Sequence, residues 1–198
     1  MPSQIIDVKT AIRFLRAHAD QYEIDPERIG IIGRSAGGHL SALAAMNSDE
    51  FESDEWCEFS SKVQACCDMF GPVDFVKLIE DDEQEMRTNP DFRWKTLEET
   101  HAGAVMGGDM ATIKERCKQF CPPYILTTDM SPMMILHGDC DKLVSCSISE
   151  DFYDKIVERG MDDRTEFYIL NGAGHGTKEF FQPETKKLIE KFFDKYLK

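Results

Sequence analysis

The chain has 198 residues, enough for one domain with a real core, and its 41% hydrophobic and 30% charged composition fits a globular protein without low-complexity segments. A formal net charge of −14 argues against nucleic acid as a partner, because binders of the phosphate backbone present basic patches. No apolar run approaches the roughly 18 residues that a membrane span needs.

Residues 1–10, MPSQIIDVKT, lack the basic and then apolar order of a signal peptide, so a cytoplasmic location is expected. Ile5, Val8, Ile12, Leu15 and Ala19 recur at helical spacing and predict a helix over 5–22 with those side chains inward. Asp25-Pro26 makes a turn, and residues 29–32 (Ile29, Gly30, Ile31, Ile32) read as a short strand. The Ala- and Leu-rich segment 36–46 reads as a helix, and 62–71, KVQACCDMFG, as a buried strand stopped at Gly71-Pro72. From 73 to 129 the pattern loosens into an insertion of short helices and loops, with an acidic stretch broken at Asn89-Pro90. A strand restarts over 131–139, a helix over 147–159 closed by Gly160, a strand over 164–170, the loop NGAGHG, and a terminal helix over 179–196. Strands alternating with helices predict an α/β fold, a mostly parallel sheet with helices on both faces. The whole of 1–198 reads as one domain carrying the 73–129 insertion.

Seven cysteines are present, with no zinc-type pairing of spacings, so reduced packing residues are expected and no metal or organic cofactor is implied.

The segment IGIIGRSAGGHL, residues 29–40, carries the chemistry. It holds Gly-x-Ser-x-Gly between a predicted strand and a predicted helix, the context in which Ser35 sits on a sharp turn as a nucleophile. Gly33 and Gly37 are expected to be required because a side chain there would clash where helix and strand approach. A serine hydroxyl needs a base to take its proton. His175, in GAGHG after the last strand, is the one histidine in the expected order on a flexible loop. His18 falls in the first helix, His39 one turn after Ser35, His101 in the insertion, and His137 at a strand end where it would brace the next loop. The acid is Asp139 or Asp141, both on the loop after the third strand. The first could hold its own turn by capping backbone N–H groups, and the second lies where it could reach His175.

GRSAGGHLSALA, FGPVDF, HGDCDKLVSCSISEDFYDKI and GAGHG, in this order, resemble the α/β-hydrolase superfamily. More narrowly they resemble the bacterial esterases and lipases related to hormone-sensitive lipase and to acetylxylan and feruloyl esterases. The resemblance runs over nearly the whole chain. It implies Ser35 as nucleophile, His175 as base and, from the pattern His-Gly-Asp-x-Asp-x-x-Val, Asp141 as acid. Ser145 stands where that family often has proline, and Cys140 and Cys146 are unusual neighbours.

The resemblance also implies more chain before the nucleophile, with further strands and a His-Gly-Gly loop supplying oxyanion donors. Only 32 residues precede Gly33, so an N-terminally incomplete domain is expected. The Ala36 N–H would be the remaining oxyanion donor; losing one such donor costs about 3–4 kcal/mol. The 29–32 strand would become an open apolar edge, predicting homo-oligomer formation through it. The expected function is hydrolysis of short acyl esters, including acetyl groups on carbohydrate. The alternatives are an impaired fragment or interaction module, or a peptidase of the same fold. Trp94, Phe92 and Met106 are candidates for a substrate pocket, although packing inside the insertion is their expected job.

Overall fold

Two short runs, Ala65–Met69 and Met133–Gly138, are buried at every residue. Runs that are mostly apolar and show no alternation suit strands covered on both faces, which is the situation inside a parallel sheet. They are β2 and β3 of a four-stranded sheet in the order β1-β2-β3-β4, flanked by β1 (Gly30–Arg34) and β4 (Thr165–Leu170). All three pairings are parallel, with Ile31 opposite Cys66, Cys67 opposite Met134 and Leu136 opposite Tyr168. The structure is a computed structural model describing residues 1–198.

Alternation along the strands divides the core. Cys66, Met133 and Ile135 face one side, where they pack with helices α1 (Ser3–Ala17), α3 (Ala36–Ala44) and α8 (Cys146–Glu158). Ala65, Cys67, Met134 and Leu136 face the other, against Phe180 and Phe192. Phe192 belongs to α9 (Pro183–Leu197). The chain is therefore an α/β fold with helices on both faces of a parallel sheet.

The N-terminal helix departs from its expected pattern. It ends at Ala17, and a separate turn, α2 (Ala19–Tyr22), follows. Leu15 is exposed, whereas Lys9, Arg13 and Arg16 turn inward. Lys9 Nζ donates to the carbonyls of Ser48 and Glu50 at 2.6 Å each, Arg13 to that of Ser53 at 2.8 Å, and Arg16 to those of Pro26 and Lys62 at 2.8 and 2.9 Å. Glu52 pairs with both Lys9 and Arg13. The long cationic side chains thus satisfy loop carbonyls that would otherwise be buried unpaired, and this outweighs burying Leu15.

The 73–129 segment is more regular than its sequence suggests. Its acidic stretch is one 14-residue helix, α4 (Phe75–Thr88), capped by Asp74, whose carboxylate accepts from the Val76 and Lys77 N–H groups. Shorter helices follow: α5 (His101–Met106), α6 (Ile113–Cys117) and α7 (Pro122–Ile125). Buried Phe75, Leu78 and Ile79 of α4, with Ile113, Cys117 and Phe120, join this layer to the larger core. No helix is long and apolar enough to cross a membrane.

β1 is a sheet edge. On it Ile32 is 49% exposed, and Gly30 and Arg34 are exposed as well.

Candidate active site

Ser35 stands between β1 and α3 with φ 53° and ψ −124°, a conformation that costs a non-glycine residue about 1–3 kcal/mol. The turn is held by the Ser35 N–H donating to the Met69 carbonyl at 2.9 Å, which ties it to the end of β2. A Cβ added at Gly33 would lie 2.1 Å from the Gly37 carbonyl oxygen. Gly33 is therefore required by close approach, as expected. Gly37 is not: a Cβ there would meet nothing within 4 Å. The second tight position is Gly38, where a Cβ would lie 2.2 Å from Asp68 Oδ1. The helix crosses β2 at its second and not its first glycine.

Ser35, His175 and Asp141 meet in one relay. His175 Nε2 lies 2.8 Å from Ser35 Oγ, and His175 Nδ1 lies 2.7 Å from Asp141 Oδ2. A carboxylate can only accept, so Nδ1–H donates to Asp141 and Nε2 is free to accept the serine proton. The Asp141 side chain is fully buried, and that of His175 is one-fifth exposed. Burial alone would raise the Asp141 carboxyl. Hydrogen bonds from His137, the Val144 and Leu143 N–H groups and His175 outweigh it and bring it down to about 2. Asp141 is thus a stable anion facing the imidazole.

Asp139 does the other job: its Oδ1 accepts from the Gly172 N–H at 2.7 Å and joins the acid loop to the histidine loop. Gly138 lets the two loops approach, since a Cβ there would sit 2.2 Å from the Ala173 carbonyl oxygen. His137 braces the acid loop, donating from Nε2 to the Val144 carbonyl at 3.0 Å, with Nδ1 2.7 Å from the Ser149 hydroxyl. Ser145 caps α8 by accepting from the Ser147 N–H. Phe70 packs edge-on against the His175 ring at 4.8 Å.

Two further groups lie beneath the turn. His39 donates from Nε2 to the Phe120 carbonyl at 2.6 Å, and burial lowers it to about 4, so it is neutral. Asp68 is fully buried, with Oδ1 accepting from the Gly71 N–H at 2.9 Å and Oδ2 unpartnered. Burial raises it to about 7, although His137 and the Gly71 N–H pull the other way. Ala36 is the first residue of α3, a position whose N–H has no acceptor inside the helix.

A cavity of about 280 Å³ opens at Ser35 and Ala36, walled chiefly by apolar residues such as Leu40, Phe75, Leu78 and Val144. A wider groove of about 980 Å³ runs past His175 and Asp141 and is lined mostly by polar residues. Trp94 borders both spaces and Phe92 the groove, so these two do more than pack within their own segment. Met106 packs against the core. Asp82, which the sequence reading did not single out, also borders both. Its signal was present: it follows Phe75, Leu78 and Ile79 at helical spacing, and so falls on the buried stripe.

A parallel α/β sheet with serine on the strand–helix turn and histidine and aspartate on the later strand-end loops defines an α/β-hydrolase of the esterase group. The BD-FAE family profile matches residues 1–156, and the chain belongs to that family. It is 31% identical over 157 residues to the probable carboxylic ester hydrolase LipM of Mycobacterium tuberculosis, spanning 78% of this chain and 34% of that protein. The fold also resembles many solved structures, two of which are the following. A truncated form of a carbohydrate esterase from gut microbiota shares 27% identity with a TM-score of 0.75, over 99% of this chain and 69% of that one. A bifunctional GH43-CE protein of Bacteroides eggerthii shares 28% with a TM-score of 0.83, over 100% of this chain and 27% of that one. The chain spans less than half the length of the relatives it matches by sequence.

Proposed function

We propose that this chain carries the reacting groups of a serine carboxylesterase that removes short acyl groups, acetyl above all, from a polar alcohol such as a sugar. The observation that carries the reading is the relay itself, 2.8 Å from serine to histidine and 2.7 Å from histidine to aspartate. The small apolar cavity at Ser35 suits a short acyl chain, and the polar groove beyond suits a hydroxylated alcohol. The names of LipM and of the gut carbohydrate esterase point the same way.

The chemistry follows from the tautomer. Ser35 Oγ attacks the ester carbonyl carbon while His175 Nε2 takes the hydroxyl proton. The carbonyl electron pair moves to oxygen and faces the Ala36 N–H. When the pair returns, the ester C–O bond breaks and the alcohol leaves with the proton from His175. Water then attacks the acyl-serine with the same base, releasing the acid and restoring Ser35. Asp141 keeps the Nδ1 proton in place and stabilises the imidazolium formed in each half.

The test is turnover of 4-nitrophenyl acetate by the 198-residue chain beside Ser35→Ala, with fluorophosphonate labelling of both. We expect labelling at Ser35 and a loss of at least about 10³-fold in the variant. Equal turnover by the two proteins would refute the reading. Labelling without turnover would leave a reactive serine but no esterase.

A further inference from the structure

The helix α4 turns an acid inward. Its neighbours Glu80 and Glu85 are exposed, but Asp82 is only 7% exposed and lies on the stripe of Phe75, Leu78 and Ile79. Asp82 Oδ2 is buried and has no hydrogen-bond partner. A buried carboxylate without partners is costly, and a ligand that brings donors would relieve that cost. Asp82 also borders both the apolar cavity that holds Ser35 and the polar groove that holds His175. Trp94 borders the same two spaces, with the Arg93 guanidinium 3.7 Å over its ring. An acceptor beside an aromatic surface, at the junction of the two spaces, stands where the alcohol half of an ester would leave the reacting carbon.

We propose that Asp82 is the specificity-determining residue for the alcohol half of the substrate, its unpartnered carboxylate accepting hydrogen bonds from the hydroxyls of a sugar. The inference rests on the esterase reading for the word substrate, but its test does not need turnover. Asp82 touches neither Ser35 nor His175 by hydrogen bond, so it acts on binding and not on the proton relay.

The experiment is calorimetric titration of an acetylated methyl xyloside into Ser35→Ala, Ser35→Ala/Asp82→Asn and Ser35→Ala/Asp82→Leu, with melting temperatures measured on all three. We expect Asp82→Leu to weaken sugar binding by about tenfold or more and Asp82→Asn, which keeps one acceptor, by less. We also expect Asp82→Leu to melt no lower than its parent, because it removes an unpartnered buried carboxylate. Equal affinity with and without Asp82, or no binding by Ser35→Ala itself, would overturn the inference. A fall in melting temperature with unchanged sugar affinity would make Asp82 a structural residue and also overturn it. So would loss of binding confined to a trimethylammonium ester such as acetylcholine, which would mark a cation site. If the wild-type chain hydrolyses no ester while these affinities differ as expected, the esterase reading fails and the sugar site stands.

Discussion

Asp68→Asn separates the buried carboxyl beneath the nucleophile turn from the chemistry above it. Burial raises Asp68 from an ordinary 3.8 to about 7. Between those values the folded protein holds a proton that the unfolded chain has lost, so stability falls as pH rises through this window. A shift of this size corresponds to about 4 kcal/mol at most. His39 acts in the opposite sense. Burial lowers it from 6.5 to about 4, so from pH 4 to 6.5 the unfolded chain holds the extra proton and stability rises, by about 3 kcal/mol at most. The two nearly offset in the wild type below pH 6.5, so the informative quantity is the difference between proteins. Asparagine keeps an acceptor for the Gly71 N–H, placing an amide where Oδ2 has no partner. Asp68→Asn should therefore gain on the wild type as pH rises from about 4.5 to about 8. Urea unfolding at intervals across that range measures the swing. A stability difference constant within about 1 kcal/mol would refute the assignment of a neutral Asp68.

Asp141→Asn should leave the acid loop folded, since one oxygen still accepts from Leu143 and Val144, but it presents an amide donor to His175 Nδ1–H. That favours the wrong tautomer, and kcat on 4-nitrophenyl acetate should drop by about 10⁴, with KM little changed. Because Asp141 titrates near 2, its own ionisation should leave no limb in the pH–rate profile above pH 4. Gly33→Ala should destabilise by about 1–3 kcal/mol and abolish fluorophosphonate labelling, because its Cβ meets backbone and not a yielding side chain. Gly37→Ala should melt at the same or a higher temperature, since its Cβ enters open space in a helix; a loss matching that of Gly33→Ala would contradict the packing described. The open β1 edge with exposed Ile32 should make the concentrated chain self-associate, and Ile32→Lys should reverse this. Light scattering that finds a monomer at every concentration would argue against that edge as a contact.

The strands were legible because MMIL and ACC are short apolar runs without alternation, the pattern of a strand covered on both faces. Ser35 was legible because a strand, a glycine-flanked serine and a helix are contiguous, and His175 because it follows the last strand on a glycine-rich loop. These are short-range facts, set by sterics and periodicity within a few residues. What lay outside them depended on partners distant in the chain. Leu15 lost its inward place to Arg13 and Arg16 because loop carbonyls from Pro26 to Lys62 needed donors. Gly38, not Gly37, carries the close contact because Asp68 of the neighbouring strand lies beneath it. Residues alone left Asp139 and Asp141 open; the family resemblance favoured the second, and the meeting of two loops gave each its partner, Gly172 and His175. Asp82 acquires its place only when α4 lies against the cavity at Ser35. Local sequence determined which elements form and which residue types could react. Tertiary packing decided which polar groups are paired, because a hydrogen-bond partner 34 or 140 residues away has no signature in the residues beside it.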